Sequence, residues 1–184
     1  VEYLRSTGGN ENAVSEMNRD LDRLKVVTER FSKIGSQPKL NPENIVDCVA
    51  SILDYMKSRT SKNISISFVT KIKAAPVNLS RPLFEWVIEN LVRNAIDAMD
   101  GKGEIRIEMH ENAEEVLIDV SDTGKGIPKS KFKTIFKPGF TTKQRGWGLG
   151  LSLCKRIIEL YHRGKIFVLV SQPEKGTTFR IILK

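Results

Sequence analysis

Cysteine and histidine are scarce here, two of each in 184 residues, and that scarcity excludes several chemistries. Cys48 and Cys154 lie far apart and fit no metal spacing, so they read as reduced core thiols of a cytosolic domain rather than a disulfide. His110 and His162 have no Cys or His partner at ligand spacing, which argues against a zinc site. No apolar run approaches the ~18–20 residues that cross a bilayer, and no secretory leader is read. The expectation is a soluble, cytoplasmic chain, whether or not a parent protein is anchored in an inner membrane. Acid is missing where base is densest. Between Thr123 and Arg145 stand seven basic residues (Lys125, Lys129, Lys131, Lys133, Lys137, Lys143, Arg145) and no Asp or Glu. The net charge of +8 is therefore concentrated in one loop, which suits a small polyanion at least as well as a nucleic-acid duplex.

What is present is a core and a mixed pattern of elements. Hydrophobic residues make up 40% of the chain, enough for one ordinary domain and too many for a disordered one. From Ala13 to Ile34, Val14, Met17, Leu21, Leu24, Thr28 and Phe31 follow the narrow spacing of a helical seam, expected to pair in a hairpin or dimer; the alternative is a helix packed on its own domain. A proline-bearing linker comes next, dividing residues 1–38 from 39–184. Asn41-Pro42 is expected to start a helix, as N-cap and first-turn proline, with Ile45, Val49, Ile52, Leu53 and Met56 on its apolar face. Ile64–Val69 and Pro76–Leu79 read as strands, and a helix opens at Ser80 and ends near Met99. Two strands, Glu104–Met109 and Val116–Ser121, precede a Gly/Pro/Lys-rich stretch over 122–147, too long for a plain connection. A helix over Leu149–Tyr161 and a hairpin of Lys165–Ser171 with Thr177–Leu183 close the chain. Paired strands and recurring helices imply an α+β fold: a two-layer α/β sandwich, a mixed sheet with helices on one face, preceded by a long helix.

Four features carry chemistry. In Glu89–Ala98, Asn90, Asn94 and Asp97 share one helical face beside the apolar stripe of Leu91, Ala95 and Ala98. Amide and carboxylate oxygens so placed can hold magnesium, which favours sparse protein ligation completed by phosphates and water; a solvated face would show the same pattern. Asp122-Thr-Gly124-Lys-Gly126-Ile127-Pro128 comes directly after a strand, where a carboxylate can accept from an exocyclic amine; an ordinary turn is the alternative. Ile135-Phe136-Lys-Pro-Gly-Phe140-Thr141-Thr142-Lys143 has two aromatic anchors in a basic loop, with Lys143 a candidate counter-charge for a terminal phosphate. The alternative is a surface loop with two rings tucked under it. Gly146-Trp147-Gly148-Leu149-Gly150 opens a helix, leaving backbone N–H groups to face an anion. It matches neither the dinucleotide fingerprint nor a P-loop.

In this order and spacing the four closely resemble the N, G1, F and G2 boxes of the histidine-kinase ATPase family, which shares its nucleotide-binding fold with gyrase, mismatch-repair and chaperone ATPases. Gly176-Thr177-Thr178-Phe179 is similar to the family's closing motif, where a threonine supports the adenine-binding aspartate. The resemblance covers roughly residues 40–184 and implies an α/β sandwich with ATP between the helical layer and a lid. It implies that Asn94 holds magnesium with Asn90 assisting, that Asp122 reads adenine, and that Gly146, Gly148 and Gly150 cradle phosphates. Lys143 would reach the γ-phosphate, and Asp97, Gly124, Gly126, Ile127, Phe136, Phe140, Thr141, Thr142, Trp147, Leu149 and Thr177 would line the ATP site. It also implies a γ-phosphate transfer to a histidine, relay to the receiver domain of a response regulator, and a homodimer through the hairpin, with no nucleic-acid partner. Residues 13–34 look like the hairpin's second helix and 1–7 like the last turns of the first. The family's accepting-histidine motif is absent, so the acceptor is expected on a missing phosphoacceptor helix, and autophosphorylation of this chain is not expected. Trp147 also departs, since that slot more often holds a small residue. In ATP-hydrolysing relatives a glutamate sits four residues before the magnesium asparagine; here it is Asn90, which cannot take a proton. Two rival readings are a protein serine kinase of the same fold and a nucleotide-binding or dimerisation module without kinase activity.

Overall fold

The structure is a computed structural model that describes residues 38–112, 114–143 and 147–184. The chain divides between Pro38 and Lys39 into two units, and the helices and strands of the described residues all belong to the second. The helix expected over Ala13–Ile34, and the seam on it, lie outside the described residues, as does Gly146.

Residues Asn41–Asn44 form a strand, β1, not the first turn of a helix. It pairs antiparallel with β3 (Pro76–Leu79), Asn41 opposite Leu79 and Asn44 opposite Pro76. A two-stranded ribbon leaves room for a proline with no N–H to give, so Pro42 is tolerated there and its helix-start signal is overridden. The capping role passes to Asn44, whose Oδ1 accepts from the N–H of Val46 at 3.2 Å and of Ala75 at 3.2 Å, starting helix α1 (Ile45–Lys57). Ile45, Cys48, Val49, Leu53 and Met56 bury its inner face.

The main sheet runs β2 (Ile64–Thr70), β4 (Gly103–Glu111), β5 (Val116–Asp122), β7 (Gly176–Leu183), β6 (Lys165–Gln172) from edge to edge. Only β2 and β4 are parallel, joined by the crossover that contains α2 (Arg81–Ala98). Ile105, Ile107, Ile118, Val120, Phe179 and Ile181 face inward, against Phe84, Val87, Ile88, Leu91 and Val92 of α2 and against Cys154 and Ile157. Alternate residues on the other face are polar or half-exposed, except that Asp119 is buried, bridged by Arg180 directly opposite it. Nε and one terminal nitrogen of Arg180 meet its two oxygens at 2.7 and 2.6 Å, a bidentate pair. The sandwich therefore has two layers, as its period-2 and period-3.6 patterns require.

Two details depart from regular elements. The last helix is α-helical only over α3 (Gly150–Arg156), then widens to a π turn over Ile157–Tyr161. In β6, Val168 faces Phe179 and Val170 faces Thr178, so Leu169 is an extra, bulged residue.

Candidate functional site

Helix α2 is the spine of the site, because three of the four motifs touch successive turns of it. Asn90, half-buried, lies against Gly150 at the start of α3; a Cβ there would come 2.5 Å from the Asn90 Oδ1. One turn on, the Nζ of Lys143 donates to the Oδ1 of Asn94 at 3.0 Å and pairs with the Oδ2 of Asp97 at 2.5 Å. At the helix end, the N–H of Lys125 donates to the carbonyl of Ala98 at 3.0 Å, and Gly124 packs on the Ala98 backbone, where a Cβ would not fit. The i, i+4, i+7 spacing thus becomes a line of contacts between one helix and three loops.

Asp122 closes the site from the sheet. It ends β5 on the inner face, in register with Thr177 of β7. Its Oδ1 accepts from the N–H of Gly124 at 2.8 Å, and the backbone N–H of Thr177 also supports the carboxylate. Burial pushes the Asp122 carboxyl above its usual value, and these two hydrogen bonds oppose that rise. The hydroxyl of Thr177 turns instead to the Oγ of Ser171, 2.9 Å away on β6. Thr177 therefore supports Asp122 through its backbone. Ser171 also takes the N–H of Ile127 at 2.7 Å and donates to the carbonyl of Gly176 at 2.9 Å. Gly176 stands at φ +93 with the Asp122 carbonyl where a side chain would begin, so only glycine joins the two strand ends. Gly126 packs as closely on the Gln172 carbonyl, and the Glu174 N–H donates to the carbonyl of Lys125 at 2.9 Å.

The loop between these halves is anchored rather than loose in its first part. Two short 3-10 turns, Lys129–Lys131 and Thr134–Phe136, carry it over the sheet end. Ile135 and Phe136 are buried, and the Phe136 ring meets Phe179 edge to face, centroids 6.3 Å apart, with the Lys155 ammonium over the ring 5.6 Å from its centroid. Phe136 is thus spent on holding the loop down. Phe140 is half-buried with Lys131 near its face, and the Thr141 hydroxyl accepts from the N–H of Lys143 at 3.0 Å. Thr142 and Trp147 are exposed. The N–H of Gly139 donates to the carbonyl of Gly148 at 3.0 Å, pinching the F and G2 segments together. Gly148, at φ +64, meets the Gly139 backbone where a side chain would begin. Leu149 caps α3 and Gly150 is its first residue.

Two participants escaped the sequence reading. Ser171 sits in no motif, and only the register of β6 places it opposite Thr177. His162 is buried and spans two elements: its Nδ1 is 2.8 Å from the Ile157 carbonyl, and its Nε2 accepts from the N–H of Ser80 at 3.0 Å, at the start of α2. Those partners require the proton on Nδ1, a neutral ring. Burial holds its pKa below the ordinary value, against the opposing pull of the Ile157 carbonyl. No group of three or more His, Cys, Asp or Glu side chains that could hold a metal by themselves occurs among the described residues, and no described helix is long and apolar enough to cross a membrane.

Residues 80–184 match the family model of the histidine kinase-, DNA gyrase B-, and HSP90-like ATPases. An adaptive-response sensory kinase, SasA, from Synechocystis is 33% identical over 172 residues, covering 89% of this chain but 44% of its own length. The catalytic domain of histidine kinase ThkA superposes with a TM-score of 0.72 at 33% identity, over 79% of this chain and 95% of that one. ThkA in complex with the response regulator protein TrrA gives 0.75 at 28% identity, over 93% of this chain and 50% of that one. The chain thus spans less than half the length of the curated kinase it matches. With a family model covering more than half of the sequence, and a kinase catalytic domain matched almost end to end, the chain belongs to the histidine kinase-, DNA gyrase B-, and HSP90-like ATPases, on their histidine kinase branch.

Proposed function

We propose that this domain binds ATP with magnesium along the polar face of α2 that carries Asn90, Asn94 and Asp97, and transfers the γ-phosphate to a histidine carried on a separate helix, for relay to a response regulator receiver domain. The observation that carries the reading is the convergence on α2: Asn90 with Gly150, Asn94 and Asp97 with Lys143, and Ala98 with Gly124. Asp122 at the strand end accepts from the exocyclic amine of adenine, which an ionised, partly desolvated carboxylate does well. Lys143 supplies positive charge to the terminal phosphate, and Gly148 and Gly150 let backbone approach it.

The donor set fits a cation, since Asn94 Oδ1 and Asp97 Oδ2 already converge on one ammonium group. Asn94 is the residue proposed to hold magnesium, with Asn90 and Asp97 beside it; bound there, magnesium would neutralise charge on the phosphates. Phosphoryl transfer asks the protein mainly for positioning and neutralisation, and the nucleophile is the neutral imidazole of the incoming histidine. Water is a poor competitor. Asn90 cannot act as a base, and Glu89, on another face of α2, is engaged by Arg93 at 2.8 Å. Slow ATP hydrolysis by the isolated chain is the expected consequence.

Calorimetric titration of Mg-ATP into the chain, beside Asp122→Ala and a GTP control, tests the reading. ATP-selective binding that disappears in the variant supports it, whereas equal affinity for ATP in chain and variant would overturn the assignment of the base to Asp122.

A further inference from the structure

The hydroxyl of Ser171 makes three hydrogen bonds, and they use its whole capacity: one proton and two lone pairs. The Gly176 carbonyl can only accept, so the Ser171 proton goes there. The Ile127 N–H can only donate, so one Ser171 lone pair is taken by it. What is left is a single lone pair facing the Thr177 hydroxyl, and the 2.9 Å contact between them has one possible direction: Thr177 donates to Ser171. Its proton thus committed, Thr177 Oγ1 has only lone pairs to offer anything else. Its neighbour across the β5–β7 pair, Asp122, is likewise acceptor-only while ionised.

We propose that Ser171 is a positioning residue for base selection: by taking the Thr177 proton it keeps the Asp122–Thr177 wall free of donors, matched to a purine edge that bears an amino group and mismatched to one that bears a 6-oxo group. The inference rests on the nucleotide reading above, and Ser171 itself need not touch the base. Removing the serine hydroxyl releases the Thr177 proton, which can then satisfy a 6-oxo acceptor. Discrimination falls because a site rejects an analogue most strongly when its buried polar groups would be left facing like groups.

The test is calorimetry of Mg-ATP and of Mg-ITP, the 6-oxo counterpart without an amine, with the full chain, Ser171→Ala and Ser171→Thr. The chain itself is expected to prefer ATP. Ser171→Ala is expected to lower the ATP-to-ITP affinity ratio about tenfold, the worth of one such hydrogen bond, and Ser171→Thr to keep it. If Ser171→Ala does not fold, Ser171→Cys, of similar size with a weaker acceptor for the Thr177 proton, is read by the same ratio. Equal losses for both nucleotides, with the ratio unmoved, would mean a purely structural hydroxyl and overturn the proposal. Failure of the unaltered chain to bind ATP is a different result: it removes the nucleotide reading and this inference with it.

Discussion

Asp122 stands partly out of water at the end of β5, and its carboxyl is raised above the usual value by that burial. A carboxyl raised in the folded state costs stability at neutral pH, and the cost is relieved as pH falls through the raised value toward about 3.8. Asp122→Asn is therefore expected to unfold at the same temperature or higher at pH 7 while losing ATP affinity by about tenfold or more, a charged hydrogen bond's worth. Thermal melts and titrations on the same samples would check both halves; a variant that melts lower would contradict the desolvation account. Lys143 makes the opposite case. Its ion pair with Asp97 has both side chains well exposed, and such pairs are worth about 0–1 kcal/mol. Lys143→Gln is expected to leave stability nearly unchanged and to weaken ATP binding about 3- to 10-fold by removing a counter-charge. At this scale the sequence was most legible. Asn90, Asn94 and Asp97 share a face by helical geometry alone, and Asp122 comes after a strand by its position. Ser171 was invisible because a lone serine in a strand says nothing until the bulge and the register set what it faces.

Elements were read well where their signals are local and poorly where a partner strand decides. The apolar face of α1 came out as expected from its period, but its start did not: Asn41-Pro42 carries a helix-start signal that pairing with β3 overrides. The π turn after α3 has no sequence signature either, and it puts His162 where the ring joins the end of one helix to the start of another. Charging that ring would set two N–H groups against each other at Nε2 and Ser80. Because its folded pKa is depressed, the unfolded chain binds the extra proton more readily. The stability conferred by the neutral ring is therefore complete above about pH 6.5 and is lost as pH falls below it toward the folded value. His162→Ala is expected to cost about 1–3 kcal/mol at pH 7.5. The gap in melting temperature between it and the unaltered chain should narrow from pH 7.5 to 5.5, and a constant gap would count against the bridge.

Across the described residues charge is distributed unevenly: six of the seven basic residues of the acid-free run, Lys125 to Lys143, lie on the loop whose two ends touch α2 at Lys125 and Lys143. Lys129, Lys131, Lys133 and Lys137 are exposed, on turns fixed to the core by Ile135 and Phe136. Charges held in this way attract a polyanion through solvent, and salt screens them over about 8–10 Å. ATP affinity is expected to fall several-fold between about 50 and 300 mM NaCl, measured by the same calorimetry; a flat response would confine recognition to short-range contacts. The sheet-and-helix layering that supports this loop was legible from the alternation of strands and helices, because burying one face of each is the only way to use those periods.

The bulge at Leu169 shows that β6 has something like a reading frame. Upstream of it Ile166 and Val168 point inward; past it the inward position falls on Ser171 rather than Val170. Deleting Leu169 would restore plain alternation, because Val168, Val170 and Ser171 would follow one another opposite Phe179, Thr178 and Thr177. Val170 would stay outward and Ser171 inward, and the Ile127 amide and the Thr177 hydroxyl would keep their acceptor. Such a deletion is expected to leave a folded sheet by circular dichroism and a chain that still tells ATP from ITP, the bulged residue being the one letter that this frame can drop.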